Sequence, residues 1–158
     1  MQRTATILLV LWGVAAAWTA SEDRGGEVSG LLITLKSTEA GQRAGAARSL
    51  GEIGPAAKDA VPGLIDVLKD PERDVRQCAA KALGEIGTAS APAASALAAV
   101  LGDRDWQVRR AAAEALGRIG TREGEAALKA ARKDPNESVR KAARASLDRI
   151  RKLPRKKG

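Results

Sequence analysis

The sequence predicts an all-α fold, a right-handed α-solenoid of about four helix pairs, and three observations predict it. The string Leu50-Gly51-Glu52-Ile53-Gly54 recurs as Leu83-Gly84-Glu85-Ile86-Gly87 and as Leu116-Gly117-Arg118-Ile119-Gly120. It returns in reduced form as Leu147-Asp148-Arg149-Ile150, so that the leucines stand 33, 33 and 31 residues apart. Each copy carries two apolar stripes of helical spacing, and no segment alternates with the period of two that a half-buried strand requires. The chain is 44% hydrophobic but only 2% aromatic, with no Phe and no Tyr, so its core is built from Ala, Leu, Ile and Val. A pair of short helices cannot bury its apolar faces alone. Stacked copies can, which is the physical basis of a solenoid held by nearest-neighbour contacts.

The elements follow in order. Residues 1–21 read MQRTATILLVLWGVAAAWTAS: a basic start at Arg3, an apolar run from Ala5 to Ala20, and small residues at the exit. That is the layout of a secretory signal peptide, with cleavage after Ala17 or after Ser21. An uncleaved N-terminal membrane anchor is the alternative, although the run falls short of the ~20 apolar residues a spanning helix needs. The protein is therefore expected to be exported, periplasmic or secreted. Residues 22–26 read as a linker, and repeats are expected at about 27–60, 61–94, 95–125 and 126–150. In the second copy, Val61-Pro62 opens a helix, because Pro is tolerated in a first turn. Leu64, Val67 and Leu68 then form its stripe. Asp70-Pro71 makes the turn. A second helix starts near Asp74, with Val75, Cys78, Ala79, Ala82, Leu83 and Ile86 inward. Gly87 ends it, a residue able to take positive φ. The third copy repeats this with Leu97, Val100 and Leu101, then Val108, Ala112, Leu116 and Ile119. Gly51, Gly84 and Gly117 fall in mid-helix, where Gly costs about 1 kcal/mol relative to Ala. Their recurrence at one position predicts a neighbouring helix packed too close for a side chain. Residues 151–158 are expected to form a basic, disordered tail.

Composition also excludes chemistry. With no His there is no imidazole base and no His metal ligand. The single Cys78 excludes an intrachain disulfide and a cysteine-rich zinc site. The glycines recur as helix packers and stops and form neither a phosphate loop nor a nucleophile elbow. No catalytic, metal or cofactor residues are nominated, and the expected partner is another protein.

A helix pair of ~33 residues with Asp70 at the turn, then Val75-Arg76 and Ala79-Ala80-Lys81-Ala82-Leu83-Gly84-Glu85-Ile86-Gly87, resembles the HEAT repeat family. Within it, the closest likeness is to the short bacterial PBS-lyase HEAT-like subtype. The third copy carries the same features as Asp103, Val108-Arg109 and Ala111 to Gly120, and the resemblance spans about residues 27–150. Ankyrin shares the period, but its Thr-Pro-Leu-His signature is absent. Phycobilin lyases share the subtype but are longer. Deoxyhypusine hydroxylase is a HEAT-like di-iron enzyme that uses His–Glu pairs, which this chain lacks. The resemblance implies a structural ladder between neighbouring copies, here Asp70, Asp103 and Asp134 with Arg43, Arg76, Arg109 and Arg140. The alternative is a row of arginines binding phosphate. Ser37 stands where the first copy would have its Asp. The end copies depart from the pattern as caps should: Arg144 replaces an Ala and Asp148 the Gly.

In HEAT-like stacks the second helices line the concave face. By register, the outward positions there are Gln77, Lys81, Glu85, Arg110, Glu114, Arg118, Lys141 and Arg149, the candidate partner-binding residues. Trp106 is a rim candidate, either an interface anchor or a cover for its turn, and Cys78 reads as a small buried thiol. Charge is uneven: residues 118–158 hold 14 basic and 5 acidic side chains, whereas 1–117 hold 13 and 14. The leading reading is a non-catalytic scaffold that binds protein through its concave face. The alternative is electrostatic binding of an anionic polymer or membrane surface by the basic C-terminal end, with nucleic acid a less natural partner for an exported chain.

Overall fold

The computed structural model describes residues 25–153, and the expected signal segment and the last five residues lie outside them. Eight α-helices fill the described residues, with no strand: α1 (25–34), α2 (Ala40–Ile53), α3 (Val61–Val67), α4 (Arg73–Ile86), α5 (Ala94–Val100), α6 (Trp106–Ile119), α7 (Glu125–Ala131) and α8 (Glu137–Lys152). α3 packs on α4, α5 on α6 and α7 on α8, α1 adds Val28 to the common core, and the second helices stack in the order α2, α4, α6, α8. The architecture is a right-handed solenoid.

The recurring leucine is the centre of each repeat. Leu50, Leu83 and Leu116 are wholly buried and Leu147 nearly so, each within one continuous apolar core shared with Leu64, Leu97 and Leu128 of the first helices. Alanines fill the space between second helices: Ala47, Ala80 and Ala113, at one register position, are all fully buried. The mid-helix glycines mark the closest approach. A Cβ on Gly51 would lie 3.0 Å from Ala82 Cα, one on Gly84 would lie 2.9 Å from Ala115 Cα, and one on Gly117 would lie 2.8 Å from Ser146 Cα. Carbon–carbon contacts favour 3.5–4.0 Å, so only hydrogen fits. At the last of these contacts the Ser146 hydroxyl donates to the Ala113 carbonyl at 2.7 Å, tying α8 to α6.

Three boundaries differ from the sequence reading. α1 already includes residues 25 and 26, which the linker was expected to hold. α8 continues through Arg151 and Lys152, which the tail was expected to hold. Cations in a last turn interact favourably with the helix dipole. The helix stops at Leu153, whose extended ψ of 140° is what the following Pro154 demands. The repeat starts drawn at 95 and 126 fall one residue inside α5 and α7. The connectors explain the uneven period. Gly54–Ala60 and Gly87–Ala93 are seven-residue 3-10 segments, whereas five residues, 120–124, join α6 to α7. This two-residue deficit is the drop in leucine spacing from 33 to 31. Gly54 and Gly87 combine positive φ with ψ near −137°, a region that is essentially glycine's alone.

Candidate functional site: the second-helix face

The Asp and Arg positions act together to set the register of the stack. Arg76 donates from Nη1 to the carbonyls of Asp70 and Pro71 (2.9 and 3.0 Å), closing its own turn. Its Nε and Nη2 donate to the two carboxylate oxygens of Asp103 in the next repeat (2.7 and 3.0 Å). Arg43 binds Asp70 in the same way (2.7 and 2.9 Å), as Arg109 binds Asp134 (2.7 and 2.9 Å). Each aspartate also accepts the backbone N–H two residues on, which shapes the turn before the second helix. Ser37 fills that local role in the first repeat, its hydroxyl accepting the Glu39 N–H. Arg140 closes its turn on the Asp134 and Pro135 carbonyls (2.8 and 2.9 Å), and its Nε and Nη2 have no carboxylate partner among the described residues. The sequence reading missed Asp105, which adds a further acceptor for Arg76 at 2.9 Å.

Hydrogen bonds from Arg43 and Arg109 hold the Asp70 and Asp134 carboxyls below the ordinary carboxylate range, against burial. At Asp103 burial pushes the pKa up, but the Arg76 hydrogen bond, the Asp105 N–H and the Arg76 charge together outweigh it, and the net direction is down. These arginines are saturated by the scaffold. In Arg43, Arg76 and Arg109 both edges of the guanidinium are occupied, which leaves these three little to offer a phosphate.

The second helices present the open face of the molecule, and the eight residues chosen by register fall into two grooves on it. A groove of about 680 Å³ between α2 and α4 contains Gln77, Lys81 and Glu85, together with Arg48, Glu72 and Asp74. A groove of about 500 Å³ between α6 and α8 contains Arg110, Glu114, Arg118, Lys141 and Arg149, with Ser138 and Ala145. The two differ in charge: the first sets two cations against three carboxylates, and the second sets four cations against one. Glu85 and Arg118 meet across the junction at 4.0 Å. Arg110 reaches Glu114 only at 3.8 Å, and its enclosed Nε has no hydrogen-bond partner among the described residues. The Lys141–Glu137 pair, at 2.8 Å, is solvent-exposed, and such pairs contribute little.

Two single residues depart from expectation or stand apart. Cys78 is half-buried and lines the α2–α4 groove, at the border between core and face, rather than being sealed inside. Trp106 is the first residue of α6, 39% exposed, and lines neither groove. No group of three or more His, Cys, Asp or Glu among the described residues is placed to hold a metal ion. No described helix is long and apolar enough to cross a membrane.

The model of the HEAT repeats family matches twice, over residues 28–100 and 93–157, and so across most of the chain. The chain belongs to the HEAT repeat family. No curated protein matched it. Among solved structures, this HEAT protein is similar to the complex of CpcE and CpcF of phycocyanin lyase from Nostoc sp. PCC7120. The identity is 27% and the TM-score 0.69, over 94% of this chain and 61% of that one. It is similar to human deoxyhypusine hydroxylase at 28% identity and TM-score 0.63, over 78% of this chain and 43% of that one. A designed armadillo repeat protein in complex with the peptide (KR)4 shares the fold at 21% identity and TM-score 0.69, covering 80% and 65%. The chain thus spans less than two thirds of the length of each of these neighbours.

Proposed function

We propose that this HEAT protein is a non-catalytic scaffold that binds another polypeptide through the face formed by α2, α4, α6 and α8. One observation carries the reading. The eight outward positions fixed by register converge on two adjoining grooves of one face, while the alanines and leucines beside them are spent on the core. Long side chains on a rigid helical platform suit recognition, because the repeat stack holds them in place before the partner arrives. The neighbour of 27% identity belongs to a two-protein complex of CpcE and CpcF, which supports a polypeptide as the partner class. The N-terminal layout of Arg3, apolar run and small-residue exit supports export, with a membrane anchor as the other route to the envelope.

The test is site-specific photo-crosslinking. A photoreactive side chain is placed at Gln77 and Arg118 on the proposed face, and at the exposed Ala99 and Ala130 of the first helices. Polypeptide adducts from the first two positions and none from the latter two are the expected result. Adducts from α5 and α7 instead would overturn the assignment of the face.

The four-to-one excess of cations in the α6–α8 groove favours a second reading, electrostatic binding of an anionic polymer or membrane surface. Salt and crosslinking together separate the two. Retention on a polyanion resin that falls steeply with ionic strength, together with no polypeptide adduct at Gln77 or Arg118, would favour the second.

A further inference from the structure

We propose that the outward face of α8, the last described helix, is a second recognition surface, at which Arg140 takes an aspartate or glutamate carboxylate from an acidic linear segment of a partner protein. In three successive repeats the ladder arginine has one fixed assignment: Nη1 on the carbonyls of its own turn, Nε and Nη2 on the carboxylate of the next repeat. Arg140 keeps the first half of that arrangement, with Nη1 donating to the Asp134 and Pro135 carbonyls. Its Nε and Nη2 have no partner among the described residues. Two carbonyl bonds orient a planar group, so the outward edge of Arg140 is a pre-positioned fork of the shape that Asp70, Asp103 and Asp134 fill elsewhere.

The occupant follows from what surrounds the fork. The positions that receive the next helix, Ala80 and Ala113, are fully buried, but their counterpart in α8 is the exposed Arg144. Gly84 and Gly117 admit a helix backbone within van der Waals contact, but their counterpart is Asp148. A helix packed as α8 packs on α6 would strike both side chains. A second copy of this chain is a poor fit for a further reason: its first turn offers Ser37 where the ladder needs a carboxylate. A slender extended segment avoids these obstacles. Its charge is set by the guanidinium itself and by the exposed Arg144 one turn further along α8, while the neighbouring Glu137 is engaged by Lys141 at 2.8 Å.

The test uses the full chain and a fluorescent peptide of alternating Asp and Ser, with an Asn-for-Asp control peptide. R140K keeps the charge and loses the fork, whereas R144K keeps the charge where no fork is proposed. Because a bidentate guanidinium–carboxylate pair is not reproduced by an ammonium, R140K is expected to weaken binding by about tenfold, R144K by less than about twofold, and the control peptide not to bind. In the wild-type protein, adding the Asp peptide is expected to shift the Arg140 Nε–H resonance while those of Arg76 and Arg109 stay in place, a readout that does not depend on any variant folding. R140K binding as tightly as wild type, or an unmoved Arg140 resonance, would overturn the proposal. So would a concentration-dependent dimer whose Arg140 signal is already shifted, since it would assign the fork to a second copy.

Discussion

Two helix glycines with opposite surroundings give the sharpest test of the stacking geometry. Gly45 lies inside α2 with nothing within 4 Å of a Cβ built on it. Gly84 lies inside α4, where the same Cβ would stand 2.9 Å from Ala115 Cα and 3.1 Å from Ala115 Cβ. Helix propensity favours Ala over Gly by about 1 kcal/mol at both sites. At Gly45 nothing opposes that gain, so Gly45→Ala is expected to stabilise by roughly 0.5–1 kcal/mol. At Gly84 the new methyl meets backbone, which cannot rotate away. α4 and α6 must separate by roughly half an ångström or more, and a gap of that size forfeits a quarter or more of each contact's attraction. Overpacking of this kind costs about 1–3 kcal/mol, so Gly84→Ala is expected to be net destabilising by about 1 kcal/mol. Urea unfolding of the two variants and wild type, compared at equal slope, reads the difference. If Gly84→Ala stabilised as much as Gly45→Ala, the close approach of α4 and α6 would be refuted.

Other consequences follow from the same geometry. Leu83→Ala is expected to cost about 2–5 kcal/mol, as for a fully buried leucine that leaves a cavity, read as a lowered unfolding midpoint. Asp70, Asp103 and Asp134 have carboxyls held low in the folded state, so unfolding takes up protons at acid pH. Their stabilisation is complete well above the unfolded carboxylate pKa of about 4 and is lost as pH falls below that value. Denaturation midpoints measured from neutral pH downward should fall below about pH 5, and fall less in Asp103→Asn, which lacks one of the three groups. If the protein is exported as proposed, N-terminal sequencing of the mature chain is expected to begin at Trp18 or Glu22. Recovery of the full chain beginning at Met1 from the envelope would replace cleavage with anchoring.

The repeat and its core were legible because each feature recurs, whereas the pairing of the recurring Asp and Arg positions into a ladder was implied by the family resemblance. Leu50, Leu83, Leu116 and Leu147 hold one register, and an Arg seven residues before each leucine meets an Asp thirteen residues before the next. Asp105 escaped because it does not recur: its counterparts are Glu39, Glu72 and Asn136, all residues preceding a second helix. Of these only Asn136 caps the helix with its side chain. The 3-10 connectors were not legible either, since Gly-Pro-Ala-Ala and Gly-Thr-Ala-Ser carry no apolar period and i→i+3 bonding leaves none to read. Cys78 sits where the helix surface turns from core to groove, and register alone does not assign such a border position. The grooves were readable as positions on a face, but the acidic contribution of Glu72 and Asp74 to the α2–α4 groove was not, because they stand at the start of α4 and off the outward register.

The proposal that the second-helix face binds a polypeptide is tested most directly by mapping a crosslinked partner back onto the protein. The partner identified by crosslinking is titrated into isotope-labelled protein, and backbone amide shifts are followed residue by residue. The account predicts perturbations concentrated in α4, α6 and α8, around Lys81, Glu85, Arg118 and Arg149, with α3, α5 and α7 unmoved. Perturbations confined to α3, α5 and α7 would contradict it.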